Sequence, residues 1–154
     1  MLIREMNLAD LDQVMKIETQ AFSDHWPRSA YEYELNENPY STLYVGVKDD
    51  SIVGVCGLYH LFEEAQIITL ATHVNWRKQG IAQALLNKMI EEADLQGCCT
   101  FSLEVRISND AAISLYEKNG FIKINIRKEY YKDGEDAYLM MKALGGNYEQ
   151  NISD

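Results

Sequence analysis

The segment Arg77-Lys78-Gln79-Gly80-Ile81-Ala82 places two cations and a glycine where a helical pattern begins. The first N–H groups of a helix lack carbonyl partners and attract anions, and a glycine lets an anion approach the backbone closely. The chemistry on offer is the binding of a diphosphate. Alone, the segment fits a plain strand-to-helix connection with solvated basic residues equally well. Glu104 lies in Thr100 to Arg106, where Phe101, Leu103 and Val105 point one way and Ser102, Glu104 and Arg106 the other. On its own it reads as one more solvated carboxylate. Cys56, Cys98 and Cys99 have no metal-type spacing and no CxxC pair, so they are expected to be reduced, with Cys56 buried in a strand. His25, His60 and His73 stand in no pattern with them, which speaks against a cysteine nucleophile, and no metal is expected.

The elements around these residues have to fit in 154 residues, enough for one domain with a real core. The expected division is a single domain over 1–144 followed by a mobile polar tail over 145–154. At 47% hydrophobic and 25% charged residues, the chain has an ordinary globular composition. No apolar run approaches the roughly 18 residues needed to span a bilayer, and the N-terminus lacks a signal-peptide pattern. A cytoplasmic location, without a membrane partner, is the expectation. The 24 acidic against 14 basic residues give a net charge of −10, which argues against nucleic acid as a partner. The same charge suits a cationic substrate, although solubility alone would account for it.

Hydrophobic periodicity predicts the order β-α-α-β-β-β-α-β-α-β-β. Leu2 to Glu5 is a strand, and Asn7 is an N-cap with Asp10 as the capping-box acid. The helix that follows turns Leu8, Leu11, Val14, Met15, Ile17 and Phe22 inward. Pro27 suits the first turn of a second helix through Tyr31 and Leu35. Strands at 42–47 and 52–59 flank a hairpin turn at Lys48 to Ser51, and a third strand covers 65–72. The helix after Gly80 carries Ile81, Leu85, Leu86, Met89, Ile90 and Ala93 on one side and ends at Gly97. Asn109 or Ser108 caps a further helix with Ile113 and Leu115 inside, closed by Gly120. Strands at 121–126 and 137–141 flank an Asp133-Gly134 turn.

The loop Arg77 to Ala82 resembles the acetyl-CoA motif R/Q-x-x-G-x-G/A of the GNAT family of N-acetyltransferases, with Ala82 at the final small position. Leu103-Glu104-Val105-Arg106 followed by Asn109, and Leu115-Tyr116-Glu117-Lys118-Asn119-Gly120-Phe121, resemble that family's downstream segments. The resemblance covers Met1 to about Leu144. It implies an α/β fold: a mixed, mostly antiparallel sheet of about seven strands with about four helices. Within the family, Arg127 to Tyr138 and Phe22 to Trp26 resemble segments of the RimI-type enzymes, which acetylate the N-terminal alanine of a small-subunit ribosomal protein. Two positions depart from those relatives, Thr72 where valine is common and Val74 where proline is.

The resemblance implies acetyl-CoA as co-substrate, held by Leu70, Ala71 and Thr72 along the strand, by Arg77, Lys78, Gln79, Gly80, Ile81 and Ala82 at the diphosphate, and by Asn109. It implies Glu104 as general base and Tyr116 as the acid for the leaving thiolate. Trp26, Tyr130 and Tyr131 would line the slot for an N-terminal peptide of a ribosomal protein. An α-amine has a reference pKa near 7.7–8.0 and a lysine near 10.4, so the α-amine is the easier acceptor for a carboxylate working through water. Two other readings stay open here: acetylation of a small amine or lysine side chain, and a non-catalytic acyl-CoA-binding module.

Overall fold

The computed structural model describes residues 1–145, so residues 146–154 of the expected tail lie outside the described residues. The strands are β1 (Leu2–Glu5), β2 (Ser41–Lys48), β3 (Ser51–Leu61), β4 (Glu64–Thr72), β5 (Thr100–Arg106), β6 (Ile122–Arg127) and β7 (Ala137–Ala143). The helices are α1 (Leu11–Ala21), α2 (Arg28–Asn36), α3 (Ile81–Leu95) and α4 (Asp110–Lys118). The order is the predicted one. The seven strands form one sheet in the order β1-β2-β3-β4-β5-β7-β6. β4 and β5 pair in parallel at Glu64–Gln66 against Thr100–Ser102, and β5 pairs antiparallel with β7. The expected mixed, mostly antiparallel sheet with four helices is the fold observed. The chain clusters into two compact units, one of Met1–Tyr59 with Ile68–Glu91, the other of His60–Ile67 with Glu92 onward.

In the first unit, local chemistry sets the element ends. Asn7 accepts from Ala9 N, and Asp10 returns a bond to Asn7 N at 2.8 Å, completing the expected capping box. A short 3-10 turn, Leu8–Asp10, precedes α1, and Leu8 is exposed rather than inward. The tighter turn shifts the helical phase by one step, so the inward stripe begins at Leu11. Asp49 and Asp50 both adopt positive φ, the backbone of a two-residue hairpin turn between β2 and β3. Pro27 is the extended N-cap of α2 rather than a first-turn residue. The core of this unit gathers Leu11, Val14, Ile17, Tyr31, Val45 and Val55. Gly54 on β3 has no room for a side chain, because a Cβ there would lie 2.8 Å from Ile81 and Leu85. The start of α3 therefore rests directly on β3.

In the second unit, β5 alternates as predicted, with Phe101, Leu103 and Val105 buried. Phe101 and Tyr116 both pack on Phe121, at ring distances of 5.8 and 5.7 Å. Asn109 rather than Ser108 caps α4, accepting from Ala112 N at 3.2 Å. β7 lies between β5 and β6, which leaves β6 at the sheet edge with every residue exposed. The cysteines are unbridged; Cys56 is buried in β3 as expected, and burial pushes its thiol up to about 12.

Candidate active site

The first unit carries the candidate anion-binding loop and its approach. β4 ends at Thr72, and His73 N donates to Val53 O at 2.8 Å. His73 then caps the turn Val74–Trp76, its Nδ1 accepting from Asn75 N at 3.1 Å, which gives this histidine a structural task. Arg77, Lys78, Gln79 and Gly80 are all exposed. Lys78 and Gly80 both adopt positive φ, 62° and 79°, so the chain folds back on itself just before α3. The Gly80 carbonyl accepts the helix's first bond, from Ala84 N at 3.1 Å. The N–H groups of the first turn therefore have no carbonyl of their own helix to meet. A Cβ built on Gly80 would meet nothing within 4 Å. The cradle is open, cationic and lined by backbone, which fits a diphosphate. Glycine is needed at Gly80 for its φ, not for clearance within the chain.

Trp26 also lies in the first unit. Its N–H donates to Glu18 Oε1 at 2.9 Å, and its ring packs on Tyr31 at 5.1 Å. The Tyr31 hydroxyl donates to the other Glu18 oxygen at 2.8 Å. Glu18 is 2% exposed, and burial raises its pKa while the bonds from Trp26 and Tyr31 oppose the rise. Sequence reading missed this carboxylate. The available signal was its position, four residues after Val14 and seven after Leu11, on the inward stripe of α1.

The second unit brings Glu104 together with partners from two other strands. Its Oε2 accepts from Gln66 Nε2 on β4 at 2.9 Å, and its Oε1 faces Arg127 Nε on β6 at 3.2 Å. The Glu104 side chain is 11% exposed, far from the solvated strand carboxylate that alternation alone suggests. Tyr130 is close enough that, after burial, the Glu104 charge is the next cause raising its phenol pKa. Tyr116 is 7% exposed and stands edge-on to Phe121. Tyr130 and Tyr131 pack edge to face at 5.0 Å. Arg106 holds this hairpin: it pairs with Asp133 at 2.8 Å and Glu135 at 2.9 Å, and its guanidinium lies 4.0 Å from the Tyr131 ring. Glu135 also accepts from Ser108 N, and both contacts keep its carboxyl below the usual range. Among the described residues no cluster of His, Cys, Asp and Glu could hold a metal ion, and no helix is long and apolar enough to cross a membrane.

Comparison with known proteins decides the family of the chain. The model of the acetyltransferase (GNAT) family matches residues 11–121. The chain belongs to the GNAT family. It is an acetyl-CoA-dependent N-acetyltransferase. The ribosomal protein bS18-alanine N-acetyltransferase of Escherichia coli K12 is a GNAT relative, 32% identical over 141 residues that cover 90% of this chain and 94% of that one. An N-alpha-acetyltransferase of Saccharolobus solfataricus is 32% identical over 155 residues, covering 92% of each. The crystal structure of the Escherichia coli ribosomal-protein-S18-alanine N-acetyltransferase matches with a TM-score of 0.86 at 30% identity, over 94% of both chains.

Proposed function

We propose that this GNAT enzyme acetylates the α-amine of a protein N-terminus, and that its acceptor is the N-terminal alanine of a small-subunit ribosomal protein. The observation that carries the catalytic part of this reading is Glu104: a nearly buried carboxylate with an amide on one oxygen and a half-exposed cation on the other. The acceptor part rests on the likeness to the bS18-alanine and N-alpha-acetyltransferases.

Acetyl-CoA supplies an activated acetyl group and a sulfur leaving group. The proposed division of labour follows from what each residue offers. Arg77, Lys78 and the backbone N–H groups from Gly80 to Ala82 would neutralise the diphosphate, with Gln79 completing the loop. The backbone groups of Leu70, Ala71 and Thr72 would align the pantetheine arm, as an added strand is held, and one N–H would polarise the thioester carbonyl. Asn109 would reach the cofactor in addition to its capping role. Glu104 would accept the proton of the α-ammonium through a water, leaving a neutral amine to attack the acetyl carbon. Tyr116 would hand its hydroxyl proton to the sulfur as the carbon–sulfur bond breaks, and the second proton shed by the nitrogen would restore the phenol. Trp26, Tyr130 and Tyr131 would flank the peptide.

The test is acetyl-CoA consumption with a peptide beginning Ala-Arg, beside the same peptide blocked at its amine and beside spermidine. Turnover of the free peptide alone is the expected result. Equal rates with the blocked peptide, or a preference for spermidine, would overturn the acceptor assignment.

A further inference from the structure

The face of the second unit that carries Glu104 also carries two arginines. Ala137 on β7 stands opposite Arg106 on β5 and opposite Arg127 on β6, so both long side chains rise beside one small residue. Their partners differ. Arg106 is committed to Asp133, Glu135 and the Tyr131 ring. Arg127 is directed to Glu104, its Nε 3.2 Å from Oε1, and its side chain is 48% exposed. It sits at the end of the edge strand β6, where every residue is exposed. Glu104 beneath it is 11% exposed, and its second oxygen already accepts from Gln66. Arg127 therefore covers the oxygen that Gln66 leaves alone.

We propose that Arg127 is a displaceable counter-ion, a cap on Glu104 that yields its place to the cationic amine of the acceptor. The inference rests on Glu104 being the base. Three physical points support it. A guanidinium stays protonated at any working pH, so Arg127 has no proton to exchange and can act only by occupying the oxygen. A single bond from a half-exposed arm is worth little, so it can be displaced. An arriving ammonium replaces like charge with like, whereas a water molecule or an uncharged group would leave the carboxylate without its counter-charge in a nearly buried place. The cap thus selects a protonated amine, met directly or through the relaying water, and denies the carboxylate to water as a nucleophile until one arrives. Without it, Glu104 would serve water as it serves the amine. The water oxygen would bond to the acetyl carbon, the carbon–sulfur bond would break, one proton of water would end on sulfur and the other pass to solvent, giving acetate and free coenzyme A.

The experiment measures two rates on the full chain: acetyl-CoA hydrolysis without acceptor, and acetylation of an Ala-Arg peptide over a range of peptide concentrations. The expected result for Arg127→Gln, and for Arg127→Met as a second neutral replacement, is faster acceptor-free hydrolysis. It comes with a peptide KM lowered by about two- to fivefold, the worth of a partly exposed ion pair. Arg127→Lys, which keeps a cation, brings both back toward wild type. Adding Glu104→Gln to Arg127→Gln removes the extra hydrolysis. Unchanged hydrolysis with an unchanged or raised peptide KM, in a neutral variant whose thermal midpoint matches wild type, overturns the proposal. Failure of the underlying reading looks different: Glu104→Gln alone would then keep full acetylation.

Discussion

The two units carry proposed functional residues of different kinds. In the first, backbone conformation carries the chemistry: an exposed loop turned back by positive φ at Lys78 and Gly80, a helix start, and the end of a strand. In the second, individual side chains carry it: Glu104 set between Gln66 and Arg127, Tyr116 seated against Phe121, and Arg106 gripping the hairpin that holds Tyr131. A site built from backbone tolerates many side chains and fails when a dihedral is denied. A site built from side chains fails when one functional group is lost. Substitutions in the two units should therefore separate cofactor binding from proton transfer.

The largest effect is expected in the second unit. Glu104→Gln should lower kcat/KM for the peptide by about 10²-fold or more, the usual contribution of a general base, while acetyl-CoA affinity measured by calorimetry holds. Tyr116→Phe keeps the ring against Phe121 and should lose rate to a similar or lesser degree, about 10²-fold, with its thermal midpoint nearly unchanged. A matching loss of acetyl-CoA affinity in either variant would erase the contrast between the units.

Glu18 in the first unit sharpens the same contrast, because it is a carboxylate whose two oxygens are held by the fixed donors Trp26 N and Tyr31 Oη. Glu18→Gln should cost stability, by about 1–3 kcal/mol for a buried group left with a mismatched donor, rather than remove proton transfer. Burial raises the Glu18 pKa in the folded chain above its ordinary 4.5. The folded state then holds that proton more tightly than the unfolded one. This contribution to stability is complete below the unfolded value and is lost as pH rises through the folded value. Urea unfolding of wild type and Glu18→Gln at several pH values should show the advantage of wild type shrinking from pH 4 upward. A gap that widens as pH rises would contradict the assignment of burial as the leading cause.

Smaller effects belong to the backbone-built part. Gly80→Ala should lose about 1 kcal/mol of stability, because a side chain is disfavoured at positive φ, and should raise the acetyl-CoA KM without moving the peptide KM. Thr72→Val should change neither KM, since the strand is proposed to work through its backbone. A large effect of Thr72→Val would assign a role to its hydroxyl and narrow the difference between the two units.

Much of this architecture was legible along the chain because its signals are local. The Asn7–Asp10 capping box spans four residues, the Asp49–Asp50 turn two, and the alternation of β5 seven, and each appears where expected. The loop before α3 was legible for the same reason, since its cations, its glycine and its helix start are contiguous. Leu8 and Pro27 fell one step outside their expected roles, where a 3-10 turn and an extended cap replaced regular helix.

The surroundings of Glu104 were not legible. Gln66 lies 38 residues before it, and Arg127 reaches it only because β7 inserts between β5 and β6 and offers Ala137 as a low point in the sheet. Glu18 likewise meets Tyr31, 13 residues on, only after α1 and α2 have packed. By itself, the sequence determined the elements, the anion loop and the family, since periodicity, capping and contiguous motifs are properties of neighbouring residues. Only the tertiary structure decided which carboxylates are held fast and which one keeps an oxygen beneath a half-exposed arginine. Strand order and register bring those partners together, and no stretch of neighbouring residues encodes them.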